Sequence, residues 1–479
     1  MDARLPLTAE VLERTPHEVV RLLVSLFDRN EKLEAENRGL RARLSLNSSN
    51  SSKPPSTDPP GRNRKPPVPA SGRKRGGQPG HARHLRPLVP PERVDEFVEC
   101  KPNVCEGCTA PLSGDDPEPA RQQLAEIPPV EPWVKEFLIH TLTCGGCGRR
   151  TRGRPPAGTP TGSFGPRLSA MVGLLSGVYR LGKRPMKQLL GDLFNLSIST
   201  GMICKLERRV STLLTPVYDE LCQHARTCNV NADETGWRED KKRAWLWTVV
   251  APLVTIFYIA RSRGRDVVDH PLGPKYAQVA TCDRWKAYLH LRKVQHCWAH
   301  VRRDFQAMID RGGTSRPIGE RLLAHSDGAF EWWSRVRDGT MARATFARHI
   351  GNLRPDFRDD LDAGTACGCA KTAGTCRQLL ADERRLWTFV RHVGVEPTNN
   401  AAERAVRHGV LWRKTSGGTD SVRGSRFVER ILSVAATCRQ QNRNVWHYLT
   451  SAFEHALENR APDSLLPPAA AARQAARAA

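Results

Sequence analysis

The chain has 479 residues and carries 74 Lys and Arg residues against 50 Asp and Glu residues, a formal net charge of +24. At roughly 150 residues per domain, this length predicts about three domains. No apolar run approaches the roughly 18–20 residues that cross a bilayer, and the first residues lack the pattern of a secretory leader, so we expect neither a membrane-embedded nor a secreted protein. The positive excess favours a polyanionic partner, most often nucleic acid, over a merely solubilising charge.

A Leu-rich helix is predicted over residues 8–46. Leu26, Leu33 and Leu40 recur every seven residues. A second row, three residues ahead of the first, contains Leu23, Asn30, Asn37 and Leu44. Leu at one core position with Asn admitted at the other is typical of a parallel coiled coil whose register is fixed by buried amides. The pattern predicts a homodimer or higher oligomer, and the alternative is a helix that packs on its own domain.

Residues 47–92 are rich in Ser, Pro, Gly and Arg and contain few large apolar groups, which predicts a disordered arm. Between Lys53 and Arg86 there are nine Lys and Arg residues and one acid, Asp58. Such a run attracts phosphates without reading base sequence. We expect the cluster Arg73, Lys74 and Arg75 to bind DNA, and a solvated linker is the alternative reading.

Two Cys-x-x-Cys pairs follow, Cys105 with Cys108 and Cys144 with Cys147. Four thiolates on two such turns suit the tetrahedral geometry of one structural Zn²⁺ ion. We therefore expect a small β-rich zinc module over residues 93–152, with a strand from Val130 to Leu142. The nearby Cys100 and His140 fit this pattern less well and are interpreted as structural.

A helical block is predicted over residues 166–224. Helical periodicity around Met186 to Phe194 breaks at Asn195–Ser199 and resumes from Thr200 to Val210. A helix, a short turn and a second helix resemble a DNA-binding helix-turn-helix, although any helical hairpin gives the same pattern.

Strand patterns dominate from Cys228 onward, and they define a catalytic domain over residues 225–410. Three strand-like runs come first, and we expect the first of them to end at Asp233. A helix after Arg265, a strand ending at Asp283 and a fifth strand follow. This order resembles an α/β ribonuclease-H-like core. A mainly helical insertion is predicted at about 308–395, a helical C-terminal region at 411–460 and a disordered tail at 461–479.

Three carboxylates are candidates for a metal centre in this domain: Asp233, Asp283 and Glu403, the last on a helix that Thr398 or Asn399 could cap. Mg²⁺ is a hard ion that prefers oxygen ligands such as carboxylates. Two such ions, or Mn²⁺ in substitution, stabilise charge on the attacking and leaving oxygens of phosphodiester chemistry. Glu234, Asp304 and Glu396 lie within a few residues and compete for these roles. Three basic residues are predicted to grip DNA phosphates: Arg303, Arg404 and Arg407.

Several motifs carry a family resemblance. In chain order they are Ser51-Ser-Lys-Pro-Pro-Ser-Thr-Asp58, Arg75-Gly-Gly-Gln-Pro-Gly-His81, the two cysteine pairs, Asp233-Glu-Thr-Gly-Trp237, Cys282-Asp-Arg-Trp-Lys-Ala-Tyr288, Cys297-Trp-Ala-His-Val-Arg-Arg303 and Asn399-Asn-Ala-Ala-Glu-Arg404. Together they resemble the transposases of the insertion-sequence-66 family, from the Leu-rich helix to about Leu457.

The resemblance implies a DDE transposase with an N-terminal zinc-binding region and a ribonuclease-H-like catalytic domain. Its three acids map to Asp233, Asp283 and Glu403. It also implies DNA cleavage and strand transfer at terminal inverted repeats, target DNA as second substrate, and small accessory proteins from the same element. The expected location is cytoplasmic and nucleoid-associated. Two alternatives stay open: a catalytically inactive DNA-binding regulator, and a ribonuclease-H-like nuclease without transposition.

Some residues fit this scheme less well. The stretch Leu411–Thr419 departs from the commoner ending of the family and indicates a subgroup. Three cysteines in the insertion, Cys367, Cys369 and Cys376, have no obvious fourth ligand for a metal. For Cys297 and His300, a local structural role is favoured over metal ligation.

Overall fold

The computed structural model describes residues 14–45, 87–160 and 162–468, and single residues 47, 51 and 53. The chain divides into two compact units, one of residues 59–133 and one of residues 1–58 with 134–479. Among the helices of the described ranges, none is long and apolar enough to cross a membrane.

The unit of residues 59–133 is described from residue 87 onward. An isolated bridge between Val104 and Pro111 closes a turn that holds Cys105 and Cys108. The backbone N–H of Val89 donates to Oε1 of Gln123 at 2.8 Å, which ties the two ends of this segment together. The cluster Arg73, Lys74 and Arg75 and most of the predicted basic arm lie outside the described residues.

The N-terminal helix α1 covers His17–Ser45. The first six residues of the predicted span, 8–13, lie outside the described residues, and the helix begins after Pro16, whose carbonyl accepts the N–H groups of Val19 and Val20. The row Leu26, Leu33 and Leu40 is exposed. Pairing of this row with a second chain stays a prediction.

The second cysteine pair lies in a short hairpin. Strands β1 (Thr141–Thr143) and β2 (Arg150–Arg152) are antiparallel and flank Cys144–Cys147. The strand predicted from Val130 is wrong over most of its length, because no strand pairs with residues 130–140. Trp133 is 85% exposed, so the apolar pattern there is not used for burial. The module is therefore less rich in β structure than expected.

Four further helices lie between the cysteine hairpin and the central sheet, within the span of the predicted helical block. They are α2 (Pro166–Gly177), α3 (Lys183–Phe194), α4 (Thr200–Leu213) and α5 (Thr215–Ala225). The break between α3 and α4 has two local causes. Asn195 adopts the left-handed conformation with φ 47°, and the Ser199 side chain caps α4 by accepting the N–H of Met202 at 3.1 Å.

The central sheet has five strands in the spatial order β5-β4-β3-β6-β7. They are β3 (Val230–Glu239), β4 (Lys242–Ala251), β5 (Val254–Ala260), β6 (Ala280–Cys282) and β7 (Val294–His296), with α6 (Arg265–Leu272) between β5 and β6. The first three strands form an antiparallel meander, whereas β3, β6 and β7 are parallel. The predicted mixed α/β core with three meander strands is confirmed.

After the sheet, the chain is helical. The helices are α7 (Trp298–Arg311), α8 (Ser315–Arg337), α9 (Arg343–Thr365), α10 (Ala370–Ala381), α11 (Glu383–Leu386), α12 (Thr388–Arg391), α13 (Asn400–Ser416), α14 (Val422–Gln440) and α15 (Val445–Leu457). Helices α8 to α12 span the predicted insertion and share an aromatic core with α7, around Trp298, Phe357 and Trp387.

Two predicted boundaries need correction. The boundary at residue 410 falls inside α13, which is continuous because it packs along β3 and β4 as one element. The tail predicted as disordered from residue 461 is ordered through 468: Leu465 is fully buried, and its carbonyl accepts Nε2 of Gln441 at 2.8 Å. Residues 469–479 lie outside the described residues.

Helix α14 covers the edge strand β5. Every second backbone N–H of β5 donates to a side chain of α14, and these side chains are spaced four residues apart. The pairs are Thr255 with Thr437 at 3.1 Å, Phe257 with Ser433 at 2.8 Å and Ile259 with Glu429 at 2.6 Å. An edge strand exposes unpaired N–H groups, so this row satisfies them and blocks pairing with another chain.

The covered edge predicts a pH dependence of stability. Burial raises the pKa of Glu429 to about 8, despite the ion pair with Arg426 at 2.8 Å. A folded-state pKa above the unfolded value means that this stabilising contribution is complete below about pH 4.5 and is lost as pH rises through about 8. We expect the free energy of unfolding to fall by roughly 2 kcal/mol between about pH 6 and pH 9 from this group. Urea titrations of Glu429→Gln, which keeps an oxygen acceptor for Ile259, should lack this component. The same pH slope in both proteins would contradict the assignment.

Candidate active site

Two of the predicted acids meet through the register of the parallel strands. Asn231 of β3 pairs with Thr281 of β6. Asp283 directly follows the last residue of β6, so it lies near Asp233 beyond the paired part of these two parallel strands. The prediction that the first strand ends at Asp233 is wrong. Asp233 lies in the middle of β3, because β3 continues to Glu239 in its hairpin with β4. The parallel pairing with β6 ends at Asn231, two residues before Asp233.

Helix α13 supplies the third acid. The loop before it is anchored where β7 meets α7: the N–H of Trp298 donates to the Pro397 carbonyl at 3.0 Å, and the N–H of Asn399 donates to Sγ of Cys297 at 3.4 Å. Asn399 precedes the helix but makes no side-chain capping bond. Its Nδ2 donates instead to the carbonyl of Ala232, next to Asp233, at 3.4 Å. This contact fixes the start of α13 against β3.

Two further contacts hold α13 on the sheet. Nη1 of Arg413 donates to the Gly236 carbonyl at 2.5 Å. Gly409 faces Leu246 of β4 so closely that a Cβ atom at this position would overlap the Leu246 side chain. The helix therefore approaches the sheet at a residue without a side chain, and Glu403 lies on its first turn.

The electrostatics place the three acids in one cluster. The pKa of Asp233 is raised to about 8, mainly by burial and then by the negative charges of Glu234, Asp283 and Glu403. Burial also raises the pKa of Asp283, although Oδ1 of Asp283 accepts the N–H of Trp285 at 2.9 Å. The raised pKa values of Asp233 and Asp283 indicate that these neighbouring carboxylates lack a positive partner, and a hard divalent cation would supply one.

The competing acids are engaged elsewhere. Oε1 of Glu234 accepts Nε and Nη2 of Arg263 at 2.8 and 2.6 Å, and Oε2 accepts the hydroxyl of Tyr288 at 2.8 Å. Asp304 pairs with Arg284. Burial raises the pKa of Glu396, and the positive charges of Arg337 and Arg404 act against this shift. Glu234 is therefore a structural acid beside the cluster.

The predicted phosphate-binding arginines differ in setting. Arg404 and Arg407 are exposed on α13, and Arg407 lies one turn after Glu403 on the same face. Arg303 is half-buried, and its charge adds to the effect of burial in lowering the pKa of His300. The neighbouring Arg302 is bound to Asp327 at 2.6 Å, so it serves the packing of α7 on α8.

A group that the sequence interpretation did not assign lies beside Glu403. One ligand atom each from Cys297, His300 and Glu403 lies within 4.8 Å of the other two, and this is the one such group of three His, Cys, Asp or Glu residues in the described ranges. The spacing Cys-x-x-His was visible in the sequence. The approach of Glu403, which lies about a hundred residues later in the chain, could not be read from the sequence.

Each predicted zinc-binding pair forms its own tight turn. The backbone N–H groups of Gly107 and Cys108 lower the pKa of Cys105. Those of Cys147 and Gly146 do the same for Cys144. N–H groups directed at sulfur favour the thiolate that binds zinc. Zinc ligation by all four cysteines stays a prediction.

The insertion cysteines do not gather into a metal site in the described residues. Cys376 is buried, and Gly364 packs directly against its sulfur. Backbone N–H of Thr372 and the side chain of Ser315 lower the pKa of Cys369 to about 7.

Comparison with known proteins decides the family. The model of the Transposase IS66 family matches residues 161–426, which is more than half of the chain and contains all three acids. The chain belongs to the IS66 transposase family. A second family model, of unknown function (DUF6444), matches residues 6–87.

Two relatives from Sinorhizobium fredii match this IS66 family member, and both are titled as uncharacterized proteins. The protein y4qI is 25% identical over 228 residues, which is 41% of this chain and 41% of y4qI. The protein y4hP is 24% identical over 394 residues, which is 73% of this chain and 69% of y4hP. The chain thus spans about two fifths of one relative and about two thirds of the other.

Proposed function

We propose that this IS66 transposase is a DDE-type enzyme that cleaves DNA at the ends of its own insertion sequence and joins them to target DNA. One observation carries the proposal: Asp233 lies on β3, Asp283 directly follows the parallel neighbouring strand β6, and the charges of Asp283 and Glu403 both act on Asp233. The strand order and directions, an antiparallel meander followed by two parallel strands, support a ribonuclease-H-like assignment of the core.

The donor set fits Mg²⁺ or Mn²⁺. All three side chains offer the hard oxygen ligands that these ions prefer. Bound there, the ions would stabilise charge on the attacking and leaving oxygens of a phosphodiester.

The chain's own residues prepare this site. The N–H of Trp285 orients Asp283, and Asn399 fixes the start of the helix that carries Glu403. Arg404 and Arg407, both exposed and next to Glu403, would bind phosphates of the DNA backbone, with Arg303 on α7.

Further parts of the chain would hold the DNA and the second protomer. The exposed row Leu26, Leu33 and Leu40 is suited to a parallel coiled coil with a second copy, which would bring two element ends together. In the α3–α4 hairpin, Ile203 and Leu206 face the core while Lys205 and Arg208 are exposed, so α4 can present a basic face to DNA. Small accessory proteins of the same element are expected partners.

A plasmid assay tests the function. Purified full-length protein with Mg²⁺ should nick a supercoiled plasmid that carries two element ends and should join those ends to a second DNA. Binding of the ends without any nicking would favour the inactive regulator. Nicking without joined products would favour a nuclease that does not transpose.

A further inference from the structure

The group formed by Cys297, His300 and Glu403 has an arrangement suited to metal binding. Cys297 is the residue before α7, and His300 lies on the first turn, so the two side chains share one face of the helix. Glu403 approaches from α13: its Oε1 is 3.9 Å from Nδ1 of His300. The three ligand atoms all lie within 4.8 Å of one another, and two different elements supply them.

Cys297 is buried, whereas the His300 side chain is 31% exposed and only its Nδ1 atom is enclosed. Nδ1 of His300 is buried and has no hydrogen-bond partner among the described residues. Sγ of Cys297 is fully buried and accepts the Asn399 N–H at 3.4 Å. An unpartnered buried imidazole nitrogen is costly, and a bound cation would satisfy it.

The donor set selects the kind of cation. One sulfur, one imidazole nitrogen and one carboxylate oxygen are the ligands of tetrahedral zinc sites with an open fourth position. Ligand atoms around tetrahedral zinc lie about 3.5 Å apart, so small side-chain rotations would close the group on the ion. The Glu403 side chain is 40% exposed, which gives an ion and a water access to the site.

We propose that Cys297, His300 and Glu403 bind a thiophilic divalent cation such as Zn²⁺, and that this binding draws Glu403 away from Asp233 and Asp283. The withdrawal of Glu403 rests on the proposed function, because it assumes that Glu403 also belongs to a catalytic cluster that binds hard metal ions. The soft-metal site is then inhibitory: sulfur and nitrogen ligands favour Zn²⁺ over Mg²⁺, and Glu403 cannot serve both sites fully.

Cobalt titration of the full-length protein tests the binding, because Co²⁺ replaces zinc and its bonds to thiolates absorb light. We expect Cys297→Ser to bind one Co²⁺ fewer per chain than the wild type, with a matching loss of charge-transfer absorption. Cys204→Ser, at an exposed position on α4, should bind like the wild type. Equal stoichiometry in the wild type and Cys297→Ser would overturn the site.

A second variant guards against misfolding. If circular dichroism shows that Cys297→Ser is unfolded, His300→Gln decides, because it removes one ligand and keeps Cys297 in place. We expect this variant to bind the same Co²⁺ at least tenfold more weakly. Unchanged affinity would overturn the site.

The plasmid assay with added Zn²⁺ tests whether metal binding at this site inhibits DNA cleavage. Zinc at a concentration that fills the site should slow nicking by the wild type at least tenfold, and by a smaller factor for His300→Gln. Nicking that is insensitive to zinc would overturn the inhibitory half. If the protein never nicks DNA, the proposed function fails while the cobalt stoichiometry still decides the metal site.

Discussion

Replacing Asp283 by Asn is expected to reduce DNA cleavage about 10³-fold or more while binding of the element ends is retained. Asn keeps the shape and the bond from Trp285 but removes the charge that a divalent cation needs. Asp233→Asn should have the same effect, since both carboxylates belong to one cluster. Nicking rates on the two-ended plasmid and gel-shift binding of a labelled end measure the two quantities separately.

A nearby acid provides the control for this prediction. Asp304→Asn changes a carboxylate that is bound to Arg284 and should retain cleavage. Asp233→Asn removes one of four mutually repelling acids, so its unfolding temperature in the absence of metal should not fall below that of the wild type. Cleavage that persists in Asp283→Asn, or that is lost equally in Asp304→Asn, would refute the assignment of the acids.

Replacing Glu234 by Gln should instead lower the free energy of unfolding by roughly 3 kcal/mol, because an ion pair with a buried carboxylate loses one partner. Glu234 is 1% exposed, and Arg263 is held by it and by the faces of Trp245 and Trp285, at 5.0 and 3.9 Å from their ring centres. Without the carboxylate, the guanidinium keeps its charge but loses its counterion. Urea unfolding curves of the metal-free protein measure this difference.

The same strand offers a matched substitution. Glu239 pairs with Arg261 at 3.0 Å, but the Arg261 side chain is 43% exposed, so water screens the pair. Glu239→Gln should therefore cost less than about 1 kcal/mol. If Glu234→Gln proved as harmless as Glu239→Gln and abolished cleavage instead, Glu234 would be a catalytic acid and the structural role assigned to it would be wrong.

Local patterns predicted much of this fold. The turn at Asn195–Ser199, the three meander strands and the helical insertion each follow from nearby residues: a left-handed Asn, a Ser cap, and alternating or helical apolar spacing. Prediction failed where the structure of a segment depends on contacts with distant residues. The apolar stretch from Val130 stays unpaired, and the tail after residue 461 is held by bonds to α14 and α15.

The charge balance of +24 and the order of the motifs were readable from the sequence alone, and they indicated DNA as partner and three acids for its chemistry. Only the tertiary structure shows which of these acids lie near one another. The parallel pairing of β3 and β6 brings Asp283 near Asp233, and ion pairs engage Glu234 and Asp304. The start of α13 brings Glu403 near both Asp233 and Cys297. These are contacts between residues far apart in the chain, and no spacing along a sequence encodes the distance between two elements that pack together.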